Sequence, residues 1–365
     1  MTKKRSKRTA KGRLAWKELL LSLFLILIVW AGQDLIGERG PGFRRDVEGK
    51  IEVAFTAPLY PEEAANRYGG LDEQLADAID EAERTVDVAA YDFDLERVAG
   101  ALIRAHKRGL RVRLVTDSDY ADELGPVRLE EAGIPVVYDE RSAFMHDKFV
   151  VLDEAVVWTG SWNFTDYGTY RNNNNVVIIE STALARNYTA EFEEMFEERA
   201  FGPTSPAETP YTQVEVGEIL VENYFPSEEK VASRIVELLE DAETSIRFLA
   251  FTLTDDDIAA VLNRKHREGV LIQGVVESRN AGSMGSDVEA LQQADADILK
   301  DGNPYNMHHK VIIIDGAIVI TGSYNFTRNA AESNDENVLI IHSPGIADSY
   351  LREFERVYGL AREAE

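Results

Sequence analysis

Apolar residues follow three patterns along this chain. Residues 19–31, LLLSLFLILIVWA, form one uncharged block. Elsewhere they come as short runs bounded by Gly, Asp or Asn, which predict buried strands, or at three-to-four spacing, which predicts amphipathic helices. TVDVAAY (85–91) and SIRFLAF (245–251) are strands by this criterion. LERVAGALIRAHKRG (95–109) and DDIAAVLNRKHREG (256–269) are helices that stop at Gly109 and Gly269. LRVRLVTD (110–117) and VLIQGVVE (270–277) are the strands that follow. A helix and a short strand come next in each series. KFVVLD with AVVWTG (148–160), and KVIIID with AIVITG (310–322), then read as hairpins.

The two series are one unit written twice. Residues 86–119 align with 246–279 at a fixed offset of 160. HDKFVVLDEAVVWTGSWNFT (146–165) aligns without a gap with HHKVIIIDGAIVITGSYNFT (308–327), identical at eleven of twenty positions. So long a period excludes a solenoid. Strands alternating with helices predict an α/β fold, each unit a mixed sheet flanked by helices. Two such units are expected to pack as a pseudo-two-fold pair, which brings equivalent edges together. The predicted organisation is a targeting segment over 1–31, a linker over 32–50 and a first domain over 51–200. A Pro-rich linker over 201–217 and a second domain over 218–365 follow.

Charge sharpens this picture. Residues 1–17 hold eight Lys or Arg and no acid, and precede the apolar block. This is the layout of a signal peptide cleaved near Ala31, or of an uncleaved signal anchor. Either places the body outside the cytoplasmic membrane. The whole chain carries a net charge of −26. So acidic a body gives no general basic footprint for nucleic acid. Cysteine is absent, which excludes disulfides, thiolate metal sites and a Cys nucleophile.

The repeated polar pattern carries the chemistry. Residues i and i+2 of a strand share a face, so His146 projects with Lys148, and His308 with Lys310. Imidazole serves as nucleophile, base or acid near neutral pH. The lysines hold an anionic oxygen. Ser161 and Asn163, with Ser323 and Asn325, add neutral donors on turns at the same sheet edge. One copy makes half of a phosphate site. Two converging copies put two histidines on opposite sides of one phosphorus, suited to in-line displacement without a metal or other cofactor.

The pattern H-x-K-x4-D-x6-G-S-x-N, read as His146/Lys148/Asp153/Gly160/Ser161/Asn163 and His308/Lys310/Asp315/Gly322/Ser323/Asn325, resembles the signature of the phospholipase D superfamily. The resemblance covers about residues 51–360. It implies that one histidine forms a phosphohistidine while the other protonates the leaving alkoxide and then activates water or an alcohol. It implies that the lysines and Asn163 and Asn325 bind phosphate, that Ser161 and Ser323 contact it through hydrogen bonds, and that Asp153 and Asp315 support local structure. Gly-Ser stands where cardiolipin synthases commonly have Gly-Gly. Members often back each histidine with a carboxylate about 25–32 residues downstream. Glu336 meets that spacing behind His308, and Asn174 stands at the matching place behind His146. By that argument His308 is the better nucleophile, whereas precedent in two-motif phospholipases favours His146. The expected substrate is a phospholipid at a membrane surface. The alternatives are DNA or RNA cleavage and a non-catalytic binding protein.

Other residues are read as structural or neutral. His106 and His266 belong to helices, and His309 faces away from His308. Trp162 and Tyr324 either line a groove or pack. Residues 280–287, NAGSMGSD, form a connection or a rim loop, and the basic run 104–113 a solvated corner.

Overall fold

The computed structural model describes residues 43–365. The segment 1–31 and most of the linker expected over 32–50 lie outside the described residues. In the first repeat the strands are β1 (Phe43–Glu48), β2 (Ile51–Thr56), β3 (Thr85–Ala90), β4 (Arg111–Asp117), β5 (Val136–Asp139), β6 (Lys148–Leu152), β7 (Val156–Gly160), β8 (Asn172–Asn173) and β9 (Asn175–Glu180). The second repeat has β10 (Gln213–Val216), β11 (Ile219–Tyr224), β12 (Ser245–Ala250), β13 (Leu271–Val276), β14 (Asp297–Lys300), β15 (Asn306–Met307), β16 (Lys310–Ile314), β17 (Ile318–Gly322) and β18 (Val338–His342).

Both expected linkers are shorter than composition suggested. Phe43–Glu48 pairs antiparallel with β2, and Gln213–Val216 with β11. Alternating apolar residues in so short a stretch as Gln213–Val216 pair once a neighbouring edge is present, although alone they read as linker.

The two sheets have the same order: β1-β2-β9-β7-β6-β3-β4-β5, and β10-β11-β18-β17-β16-β12-β13-β14. β3, β4 and β5 pair in parallel, as do β12, β13 and β14; the remaining pairs are antiparallel. Helices Leu71–Glu81 and Glu96–Lys107 cover the outer face of the first sheet, burying Leu75, Ile79, Val98 and Leu102. Helices Val231–Glu240 and Asp256–Arg267 do the same for the second.

One continuous core lies between the sheets and draws on both repeats. Its middle holds helix Thr182–Glu193 and the C-terminal helix Pro344–Ala364. Tyr188 packs edge-on against Phe149 of its own repeat and Phe225 of the other, with centroids 5.0 and 5.3 Å apart. Tyr350 meets Phe55 of the first repeat at 5.0 Å. Burying each such ring contributes about 1.5–3 kcal/mol, so the repeats are held together by a core rather than by a strap.

The motif aspartates brace this frame. The carboxylate of Asp153 accepts from the backbone N–H groups of Glu83, Arg84 and Thr85, and that of Asp315 from those of Glu243, Thr244 and Ser245. Each pins the start of β3 or β12. Burial opposes ionisation here, yet the three N–H donors hold both carboxyls below the usual range. That stabilisation is present above the ordinary carboxylate range and is lost as pH falls through the lowered value. Asp153→Ala is expected to cost about 1–3 kcal/mol of stability with catalytic rates nearly unchanged. Denaturant unfolding and a kinetic assay on one sample test this, and a selective loss of rate at full stability contradicts it.

Candidate active site

The His-x-Lys segments sit where the two repeats exchange backbone. The carbonyl of Asp335 accepts from the His146 N–H at 2.9 Å, and that of Asn173 from the His308 N–H at 2.9 Å. β8 pairs in parallel with β15 across the repeats, and Met145 bridges Asp335. Each histidine is thus set in place by the other repeat.

Gly160 and Gly322 end the second hairpin strands at φ 151° and 148°. A Cβ at either would lie 2.3 or 2.1 Å from the carbonyl oxygen of Asn175 or Asn337. Only glycine lets this turn press against the next strand, which brings Asn163 and Asn325 to the same opening as the histidines.

His146, His308, Asn163 and Asn325 line one open cleft of about 470 Å³, together with Tyr91, Asp92, Phe144, Tyr167, Phe251 and Thr252. His146 Nδ1 donates to Glu336 Oε2 at 2.7 Å. His308 Nδ1 donates to the Ser161 carbonyl at 3.0 Å and to Asn174 Oδ1 at 2.9 Å. The Asn174 amide donates to Gly168 O, which fixes its oxygen toward His308. With both Nδ1 atoms engaged in this way, each Nε2 is left to the cleft. The Oδ1 atoms of Asn163 and Asn325 are buried and unpartnered.

This corrects the expected partner of Glu336. The carboxylate lies behind His146 of the opposite repeat, not behind His308, and Asn174 crosses the other way. The strands that follow each Gly-Ser turn run through the interface, so each delivers its polar side chain to the other repeat's histidine.

Ser161 and Ser323 also differ from expectation. Both are fully buried. Ser161 Oγ donates to Asn174 Oδ1 at 2.9 Å, and Ser323 Oγ to Glu336 Oε2 at 2.6 Å. They hold the groups behind the histidines and do not face a ligand, because the turn points the serine inward and the asparagine outward.

Lys148 and Lys310 lie just beneath the cleft, 2% and 1% exposed. Their ammoniums donate to the carbonyls of His146 and His308 at 2.5 and 2.8 Å and lie over the rings of Tyr91 and Phe251. Burial pushes Lys148 down to about 8, against the pull of Glu336 and Asp147, and pushes Lys310 well below its ordinary value. Burial lowers both histidines, and each is lowered further by both lysines. Two imidazoles and two amines therefore share one small space, and each disfavours a proton on the others. Burial raises Glu336 to about 7 against those lysines.

Several neutral readings are now decided. Trp162 and Tyr324 are each 2% exposed and belong to the outer cores, so they pack rather than line the cleft. His309 is fully buried against Glu353. In the basic run, Arg104, Arg108, Arg111 and Arg113 are paired with Asp80, Asp87 or Glu154, which leaves no free basic patch there. Residues 280–287 do not contribute to the cleft. Tyr91, Asp92, Phe144 and Phe251 went unread in the sequence. Tyr91 and Phe251 correspond at the offset of 160, one position past a buried strand, and that correspondence was the available signal.

The family profile described as "Cardiolipin synthase, PLD-like domain" matches residues 75–196 and again 235–358. The chain belongs to this phospholipase D-like family. It is 37% identical over 121 residues to a mitochondrial cardiolipin hydrolase of Xenopus tropicalis, covering 32% of this chain and 57% of that protein. It is 40% identical over 120 residues to a phospholipase D of Rickettsia typhi, covering 33% of this chain and 59% of that one. The chain thus spans somewhat over half the length of the curated relatives it matches. Among solved structures, the phosphatidylserine synthase of Haemophilus influenzae shares the fold over 88% of both chains at TM-score 0.61 and 13% identity.

Proposed function

We propose that this protein is a phosphodiesterase that hydrolyses, or exchanges, the headgroup of a phospholipid through a phosphohistidine. The observation that carries the reading is the pair of Nε2 atoms, one from each repeat, open to one cleft with both Nδ1 atoms tied back. His146 Nε2 attacks phosphorus. As the N–P bond forms, the ring gains positive charge, which Glu336 stabilises. His308, backed by the neutral Asn174, holds an added proton less firmly and passes it to the leaving alkoxide. It then takes a proton from water or an alcohol, which attacks phosphorus, breaks the N–P bond and frees His146. The ammoniums of Lys148 and Lys310 and the amides of Asn163 and Asn325 stabilise the phosphoryl oxygens throughout.

A lipid substrate is supported by the cleft's surroundings. Phe144 and Tyr167 at the opening are 41% and 56% exposed. Asp92, raised to about 7 by burial and by Asp94 and Glu123, stands on the wall. Apolar lips and a nearby acid suit a headgroup at a membrane better than a polyanion. The same proposal puts the body outside the cytoplasmic membrane, anchored by residues 19–31 or released near Ala31.

The full-length chain, given mixed phospholipid liposomes and a labelled single-stranded oligonucleotide together in EDTA, tests this. Headgroup release with an intact oligonucleotide is expected. Cleavage of the oligonucleotide alone makes the protein a nuclease, and activity that disappears in EDTA and returns with metal, while circular dichroism shows the chain still folded, overturns the mechanism.

A further inference from the structure

A second group of buried acids lies between the repeats, among residues that do not line the cleft. Glu191 belongs to helix Thr182–Glu193, Glu194 to the π-helical turn that continues it, and Glu228 to the loop after β11. One carboxylate oxygen from each lies within 4.8 Å of the other two. Glu191 is 3% exposed and Glu194 9%. π-Helical turns recur at functional sites.

The duplication supplies an internal comparison. At an offset of 162, Tyr188 corresponds to Tyr350, Glu191 to Glu353, Glu194 to Arg356 and Asp147 to His309. In the second repeat Glu353 accepts from Arg356 at 2.6 Å and from His309 at 3.0 Å, so the buried carboxylate there has cationic and N–H partners from its own chain. In the first repeat both partner positions are acids, and Glu228 adds a third. Three further observations point to a ligand. Asp147, fully buried and near enough for its charge to oppose ionisation of Glu191, has an unpartnered Oδ2. Glu194 Oε2 is also buried without a partner. The hydroxyl of Ser205, a residue 8% exposed and beside both Glu194 and Glu228, has no hydrogen-bond partner. Buried carboxylates in this number, with no cation beside them, are strongly unfavourable.

We infer that the first repeat takes a hard divalent cation, Ca²⁺ by the chemistry of its donors, where the second repeat places Arg356 and His309. The set is all oxygen: Glu191, Glu194, Glu228 and the Ser205 hydroxyl, with Asp147 behind. No nitrogen or sulfur donor favours zinc. A set in which protein oxygens replace most of the ion's water favours Ca²⁺ over Mg²⁺, which gives up its waters reluctantly. The ion joins the end of a first-repeat helix to a second-repeat loop. It is structural, and headgroup release proceeds without it as long as the fold holds.

Thermal unfolding of the metal-stripped, full-length protein at mildly alkaline pH tests this. With Ca²⁺ at about 100 times its Kd, Tm rises by about 5 °C, and Mg²⁺ has a smaller effect. Equilibrium dialysis finds one tightly held Ca²⁺ per chain. Glu191→Gln and Glu228→Gln lose the shift. Glu194→Arg supplies the guanidinium of the second repeat and unfolds independently of Ca²⁺. A Tm that ignores Ca²⁺ overturns the site and leaves carboxyls that share protons. A shift that persists unchanged in the Gln variants also overturns it, because the ion then binds elsewhere. Should Glu194→Arg fail to fold, the Gln variants decide alone.

Discussion

His146→Ala is expected to lower kcat by at least about 10⁴-fold, and His308→Ala by a similar factor. Neither should change folding, because each imidazole is held at the wall of an open cleft. The two variants differ in what they accumulate. With a phosphodiester that has a good leaving group, His308→Ala still forms the N–P bond at His146 but hydrolyses it slowly, since nothing activates water. It should build up an acid-labile phosphoryl-enzyme, and His146→Ala should build up none. Mass spectrometry of the quenched enzyme locates the adduct. An adduct on His308 reverses the roles, and appreciable turnover by either variant ends the shared-site mechanism.

The second large effect concerns the groups behind the histidines. Glu336→Gln keeps the shape and can still accept from His146 and Ser323, but it loses the charge that stabilises the ring as phosphorus is attacked. A fall in kcat of about 10²-fold or more is expected, with much less change in KM. Asn174→Asp gives a different signature. Burial, followed by Lys310 and Lys148, holds the His308 pKa well below its ordinary value, and His308 must carry a proton to release the alkoxide. In the wild type, kcat/KM therefore falls as pH rises through that lowered value. A carboxylate at position 174 raises the pKa, so the alkaline limb of the profile moves to higher pH. An unmoved alkaline limb rules out His308 as the acid.

Much of this was legible in the chain itself. The duplication, the strand and helix order and the His-x-Lys and Gly-Ser-x-Asn residues follow from spacing alone, since strand periodicity sets which neighbours share a face. Asp153 and Asp315, each half-buried, accept from three backbone N–H groups at the start of β3 and β12, at the place their spacing in the repeated pattern marks. The linkers were overextended, because Phe43–Glu48 and Gln213–Val216 become strands only when an edge is available to pair with.

Partner choice was beyond the sequence. Glu336 follows His308 by 28 residues and His146 by 190, and nearness along the chain favoured the wrong histidine. In a duplicated unit the same side chain fits the same place in either copy, and no local pattern separates the two choices. The sequence by itself marked out the repeated polar residues proposed to carry the chemistry and showed that they occur twice. Only the packing of the two sheets on one core decided that each repeat completes the other's histidine, because that depends on which backbone crosses the interface.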